Sequence, residues 1–234
     1  MRSRLLLLGV LACLAAGCGS TKNGTETATT TAATQPTTTV PVSPSPMALT
    51  VFRVDNGLLR PSVKHVPRTT AVATAALGAL GIGAGVSIEG GTAKVALDRA
   101  TQEQQAEIVY TLTQFVTIKR VDVAGRRGLT RDDFASYVPP ILVESPGAGA
   151  EVPAAFHVSG SASVFEATLV VELIRGGKVI AKRTVTASEG APGRGTFDTT
   201  LRASPGDVTV SAFSPSAADG TPQHRVDLAV TVKP

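Results

Sequence analysis

Phe156-His157-Val158-Ser159-Gly160-Ser161-Ala162 alternates apolar or small residues with polar ones. Such alternation is typical of a β-strand that buries one face. Six further stretches with strand character surround it, separated by turns roughly every 8–12 residues: 141–143, 168–174, 179–186, 196–201, 208–213 and 226–232. The pattern predicts an all-β sandwich over residues 139–234.

The preceding residues, 47–138, combine strand and helix patterns. Strands are predicted at 49–54, 63–66 and 121–123, and a hairpin is predicted around Gly90-Gly91. A small-residue helical period runs from Val72 to Leu80. Thr101 and Gln104 have the spacing of a capping box, and the helix they open places Ile108 and Val116 on one apolar face. We therefore expect a layered α/β domain with helices on one sheet face, and an α+β protein overall.

Cys18 ends the stretch Leu14-Ala15-Ala16-Gly17-Cys18, which follows Arg2, Arg4 and an apolar run over residues 5–16. A basic start, a short apolar segment and small residues before a cleavage point are typical of an export signal. The apolar run is shorter than the roughly 20 residues that span a bilayer. Residues 18–46 are rich in Thr and Pro, which predicts a disordered tether.

The five residues ending at Cys18 resemble the lipobox of bacterial lipoproteins. The resemblance implies a signal peptide over residues 1–17, cleavage before Cys18 and diacylglycerol on the Cys18 sulfur. It also implies a protein anchored at the extracytoplasmic face of the cell membrane. Loss of Arg2 and Arg4 would lower the net charge from +4 to +2.

Two further resemblances concern the domains. Residues 71–80, the turn from Gly90 to Val95 and the segment Ile108-Val109-Tyr110-Thr111-Leu112-Thr113-Gln114-Phe115 resemble the GerMN domain of sporulation and germination proteins. The motifs Ile141-Leu142-Val143-Glu144-Ser145-Pro146, Val158-Ser159-Gly160-Ser161-Ala162, Phe165-Glu166-Ala167 and Asp219-Gly220 resemble the immunoglobulin-like domain of bacterial spore germination proteins. These resemblances imply a GerMN-like domain at 47–138 and an immunoglobulin-like domain at 139–234. We expect the two domains to fold independently, because the sequence changes from α/β patterning to alternating strands near Pro139.

The sequence offers little catalytic or metal-binding chemistry. His65, His157 and His224 lie in different predicted elements without metal-ligand spacing. Asp132 and Asp133 have two interpretations, a pair of catalytic acids or caps of a short helical turn after Thr130. The largest basic cluster, Arg126, Arg127 and Arg131, is offset by these two acids, so no nucleic-acid partner is expected. We expect no enzyme activity, no catalytic residue, no metal and no cofactor.

Phe165, Glu166 and Asp219 are the candidate contact residues. Phe165 and Glu166 either meet a partner or stabilise the sandwich, with Phe165 folded over its end and Glu166 binding backbone N–H groups of a tight turn. Asp219-Gly220 is interpreted as a turn in preference to a site.

Three functions remain open. The leading hypothesis is a non-enzymatic, lipid-anchored envelope protein that acts by contact with another envelope protein, as in sporulation or germination assemblies. The alternatives are a lipoprotein that binds peptidoglycan or a small solute, and an envelope hydrolase. A cleft lined by convergent polar groups would favour the second, and a pocket joining Asp132, Asp133 and a histidine would favour the third.

Overall fold

The computed structural model describes residues 45–234, and these are mostly β-strand. The expected signal peptide, Cys18 and all but the last two residues of the expected tether lie outside them. No helix among residues 45–234 is long and apolar enough to cross a membrane. Because Cys18 lies outside the described residues, its lipid anchor stays a prediction.

Residues 47–138, called the N-terminal lobe, begin with an antiparallel ribbon of β1 (Met47–Asp55) and β2 (Leu58–Val66). Asn56 and Gly57 connect the strands with positive φ angles, the conformation that tight hairpin turns require. β2 begins earlier than the sequence predicted and includes Pro61. A proline is tolerated there because the two-stranded ribbon leaves an edge on which its missing N–H is not needed.

The lobe continues with α1 (Val72–Ala79), β3 (Val86–Glu89), β4 (Thr92–Val95), α2 (Gln102–Leu112), β5 (Arg120–Val123), β6 (Arg126–Leu129) and a 3₁₀ helix (Arg131–Tyr137). The four strands form a sheet in the order β3-β4-β5-β6, which does not include the ribbon. The prediction of a single layered sheet is therefore wrong, because the ribbon and the four-stranded sheet are separate. Helix α2 contacts both of them, through β1 and β5. The prediction that Val116 lies on the apolar face of this helix is also wrong. Helix α2 ends at Leu112, and Val116 is 82% exposed.

Residues 139–234 form the sandwich. Its strands are β7 (Ile141–Ser145), β8 (Glu151–Val152), β9 (Ala155–Ala162), β10 (Thr168–Arg175), β11 (Lys178–Thr186), β12 (Gly195–Arg202), β13 (Gly206–Pro215) and β14 (Pro222–Val232). One sheet has the order β11-β10-β13-β14-β8 and the other β12-β9-β7. Val158 and Val230 lie in the core between them, as the alternation predicted. The two-residue strand β8 was not predicted, because it is too short to show a periodic pattern.

β7 joins the lobe and the sandwich, since its side chains enter two cores. Ile141 and Val143 belong to the sandwich core, whereas Leu142 lies in the core of the N-terminal lobe. The ribbon reaches across in return: Val63 packs against the sandwich core, and its N–H donates to the Ala148 carbonyl at 2.8 Å. Residues 45–234 accordingly belong to one compact unit. The predicted boundary at 138/139 thus lies inside a packed junction.

Candidate functional site at the junction

An open cleft of about 680 Å³ lies at the junction. Thr50 of β1 and Gln114, just after α2, line it from the N-terminal lobe, and Glu144, Ser145 and Ser159 line it from the sandwich. The Gln114 side chain donates to the Thr50 carbonyl at 2.8 Å and is thereby fixed against the ribbon. Polar groups from both parts of the chain therefore converge on one concave surface, the arrangement typical of a ligand site.

Arg131 is the central residue of this cleft. Its Nε donates to Thr113 Oγ1 at 2.9 Å, and its Nη1 donates to Glu144 Oε2 at 2.7 Å. The guanidinium carbon lies 4.7 Å from the centroid of the Tyr110 ring, within cation–π range. The Arg131 and Glu144 side chains are only 28% and 26% exposed. The ion pair is thus partly shielded from water and links the lobe to the sandwich.

The start of the 3₁₀ helix determines where Arg131 lies. Thr130 N–H and Oγ1–H donate to Asp133 Oδ2 at 2.8 and 3.1 Å, so Asp133 closes a capping box with Thr130. These two hydrogen bonds hold the pKa of Asp133 below its ordinary value, because they favour the charged carboxylate. Asp133 thus caps a helical turn, as one of its two interpretations predicted, whereas Asp132 lines the cleft.

Tyr110 and Arg194 lie at the same junction. Burial raises the pKa of Tyr110 to about 12, although the positive charge of Arg131 opposes the shift. The Tyr110 hydroxyl is therefore protonated at neutral pH. Arg194 donates through Nη2 to the Pro139 carbonyl at 2.7 Å and through Nη1 to Ser161 Oγ at 3.2 Å. Burial lowers the pKa of Arg194. Its hydrogen bond to Pro139 attaches the loop before β12 to the chain that enters β7, and its hydrogen bond to Ser161 attaches the same loop to β9.

The predicted contact residues lie elsewhere. Phe165 and Glu166 form a single 3₁₀ turn before β10, where Phe165 is 66% exposed and does not fold over the sandwich. Glu166 has a φ of +52°, and within the described chain its carboxylate makes no hydrogen bond to a backbone N–H. The pair thus lies in a turn, but the two contacts of the stabilising interpretation are not seen within residues 45–234. Asp219 accepts from Thr221 N–H at 3.0 Å and from Thr221 Oγ1 at 2.8 Å, which places it in the β13–β14 turn.

The three histidines do not meet. His65 lies on β2, His224 lies on β14, and His157 on β9 contacts Asp198 at 3.0 Å on the surface. None of the described residues that line the cleft is a histidine. Among residues 45–234 there is also no group of three His, Cys, Asp or Glu side chains close enough to hold a metal. The pocket that would favour a hydrolase is thus not formed by this part of the chain.

Sequence reasoning missed the cleft itself. Arg131 was noticed only as part of a basic cluster, and Glu144 only as part of a strand motif. Their pairing depends on how the chain folds back between the 3₁₀ helix and β7, and no local pattern encodes that reversal. One weak signal existed, since the capping box at Thr130 fixes the direction in which the helix leaves β6.

Residues 140–221 match the family described as the immunoglobulin-like domain of bacterial spore germination. The resemblance of the sandwich motifs to this family is confirmed. The matched segment runs from the start of β7 to the β13–β14 turn and ends before β14. The resemblance of residues 47–138 to the GerMN domain stays a prediction.

Comparisons with individual proteins add little. No curated protein matches the chain. Four solved chains match it, among them the crystal structure of an engineered protein that is 20% identical, with a TM-score of 0.32. That match covers 50% of this chain and 23% of the engineered one, so the chain spans less than a quarter of its length.

Proposed function

We propose that this protein is a lipid-anchored, non-enzymatic component of the bacterial cell envelope. In this proposal diacylglycerol on Cys18 holds it at the extracytoplasmic face of the membrane. A GerMN-like lobe and an immunoglobulin-like sandwich then contact another envelope protein during assembly of the sporulation or germination type.

One observation carries the proposal, namely the match of residues 140–221 to an immunoglobulin-like domain of spore germination. The lipobox-like sequence before Cys18 supports the anchor. The exposed Phe165 supports a contact role, because a large apolar side chain that is 66% exposed is available to a partner.

The anchor is tested by Cys18→Ser, with Cys13→Ser as the matched control in the same segment. We expect Cys18→Ser to move the protein into the aqueous phase of a detergent partition or to leave an uncleaved precursor. Two or more acyl chains are needed for stable attachment, and the variant has none. Cys13→Ser should partition like the parent. Equal membrane retention of both variants would contradict the anchor.

The contact role is tested by complementation of a deletion strain. Phe165→Ser should reduce the cellular phenotype, and Glu166→Ala, Asp132→Ala and Asp133→Ala should each have graded effects. Ile88→Ser is the matched control, since Ile88 is another exposed apolar side chain. A stable, exported Asp132 or Asp133 variant with no activity at all would instead indicate catalysis, because loss of a catalytic group typically costs orders of magnitude.

The cleft favours a second candidate function, the binding of a small polar solute or a peptidoglycan fragment. Its volume lies within the roughly 300–1,000 Å³ of small-molecule sites. Calorimetric titration with soluble disaccharide–peptide fragments of peptidoglycan tests it. Ser159→Leu should weaken binding because it replaces a polar group of the cleft lining by a larger apolar one, whereas Ser163→Leu, outside the cleft lining, should not. No heat of binding to the parent protein would dismiss this candidate.

A further inference from the structure

The sandwich leaves two edge strands open on the same side. β11 is the outermost strand of the five-stranded sheet, and β12 is the outermost strand of the three-stranded sheet. The two strands lie close to each other. An edge strand directs part of its backbone N–H and C=O groups away from its sheet, so each is a template for another strand. With nine residues, β11 offers the longer of the two edges.

A groove of about 590 Å³ runs between these edges. Ala181, Lys182 and Arg183 line it from β11, and Thr200, Leu201 and Arg202 line it from β12. Arg183 lies two residues before the buried Val185 and therefore on the same face of β11. It is nevertheless exposed and lines the groove. Ala181 and Leu201, which pack in or against the core, supply an apolar floor.

The groove is positively charged. Among the described residues that line it, three are cationic and none is acidic. Glu172 Oε1 of β10 lies 3.0 Å from Lys182 Nζ and offsets the charge of Lys182. Arg183 and Arg202 have no salt-bridge partner within residues 45–234. Charge complementarity therefore selects an acidic occupant.

A second copy of this chain does not fit that requirement. β11 carries Lys178, Lys182 and Arg183 and no acidic residue, so pairing of two β11 edges would bring like charges together. Like charges opposite each other destabilise a strand pair. The same cations therefore oppose self-association while leaving the edge open to a strand of opposite charge.

We propose that the β11 edge binds an extended acidic segment of a partner protein as an added strand. The segment pairs with the β11 backbone, and its carboxylates contact Arg183 and Arg202 beside β12. Backbone pairing supplies affinity in this mode of recognition and the alternating side chains supply specificity. This inference rests on the proposed contact function and names the kind of partner.

The test uses the full chain carrying Cys18→Ser and a fluorescent octapeptide of alternating Glu and Val. We expect saturable binding and at least about tenfold slower hydrogen exchange of β11 amides, because free N–H groups become paired. Two further peptides are N-methylated at either the odd or the even residues. One of them should lose binding about tenfold or more and the other should bind like the parent, since only one edge of an added strand faces β11. Equal binding of both methylated peptides would mean that charge attraction alone holds the peptide, without backbone pairing, and would overturn the proposal.

The protein variants test the groove. Arg183→Glu and Arg202→Glu together should weaken peptide binding about tenfold or more, because like-charge contacts oppose docking. Arg127→Glu, an exposed arginine on β6, is the matched control and should change binding less than about twofold. An equal loss in the control, or absence of binding to the parent protein, would overturn the proposal. Because the assay needs no membrane, its failure leaves the anchored contact function intact, and failure of the Cys18 test leaves this inference intact.

Discussion

Asp219 shows how a single carboxylate organises a turn. It accepts hydrogen bonds from the N–H and the hydroxyl of Thr221, and Gly220 between them has a φ of +73°. The Thr221 N–H, then its hydroxyl and that of Ser216, lower the pKa of Asp219, because each bond favours the charged form. A lowered pKa means that this stabilisation is present above the ordinary value of about 3.9 and is lost as the pH falls through the lower, folded-state value.

We therefore expect Thr221→Val to raise the pKa of Asp219 part of the way toward its ordinary value. The variant keeps the backbone N–H and removes only the hydroxyl. An NMR titration of the Asp219 carboxyl carbon measures the change. Thr184→Val, on a different strand, should leave the titration unaltered. An identical Asp219 midpoint in the parent and Thr221→Val proteins would refute the assignment.

At the scale of elements, β9 can pair with β7 only because it carries a glycine. A Cβ atom placed on Gly160 would overlap the Leu142 carbonyl oxygen and crowd the Glu144 N–H. Both atoms belong to the backbone of β7, so no side-chain movement could relieve the overlap. Gly78 differs, since it lies on the exposed side of α1 and a Cβ there would meet nothing within 4 Å.

Gly160→Ala and Gly78→Ala should consequently change stability in opposite directions. Gly160→Ala should lower the free energy of unfolding by about 3 kcal/mol, since β7 must move away from β9. Gly78→Ala should raise it by about 1 kcal/mol, because alanine is the better helix former. Urea denaturation followed by circular dichroism measures both. A neutral Gly160→Ala would mean that the β7–β9 pairing is misplaced.

These elements also show what the sequence could predict. The capping box of α2 is confirmed, with Gln104 N–H bonded to Thr101 Oγ1 and Thr101 N–H bonded to Gln104 Oε1. The Gly90-Gly91 hairpin is confirmed as well, since such signals act over a few neighbouring residues. β6 was missed because Arg126-Arg127-Gly128-Leu129 lacks an apolar alternation. The Arg131–Glu144 pair could not be predicted, because it depends on packing between distant segments.

At the scale of the whole molecule, the lobe and the sandwich share structure. Leu142 of β7 packs among residues of the N-terminal lobe. Backbone hydrogen bonds also join the ribbon to Ala148, which accepts one from Val63 and donates one to Pro61. These contacts lead us to expect coupled unfolding in place of the independent folding that the sequence pattern suggested.

Leu142→Ala should lower the stability of both parts together, by about 3 kcal/mol, because it leaves a cavity in a shared core. Tyrosine fluorescence reports on the N-terminal lobe, since the two tyrosines, Tyr110 and Tyr137, both lie there. The NMR methyl signal of Val158 reports on the sandwich. The two midpoints in urea should coincide in the parent and shift together in the variant. Separate midpoints would restore the independent-folding prediction.

The double use of β7 has a consequence for how this chain can be recombined. An immunoglobulin-like module cut out at residue 139 and joined to another protein would carry Leu142 as an apolar residue on its outside. The new neighbour would have to cover Leu142, or the transplanted module would need a polar residue there. Shuffling of this module between genes is therefore constrained by one leucine, and natural fusions that keep it should also keep a lobe able to bury it.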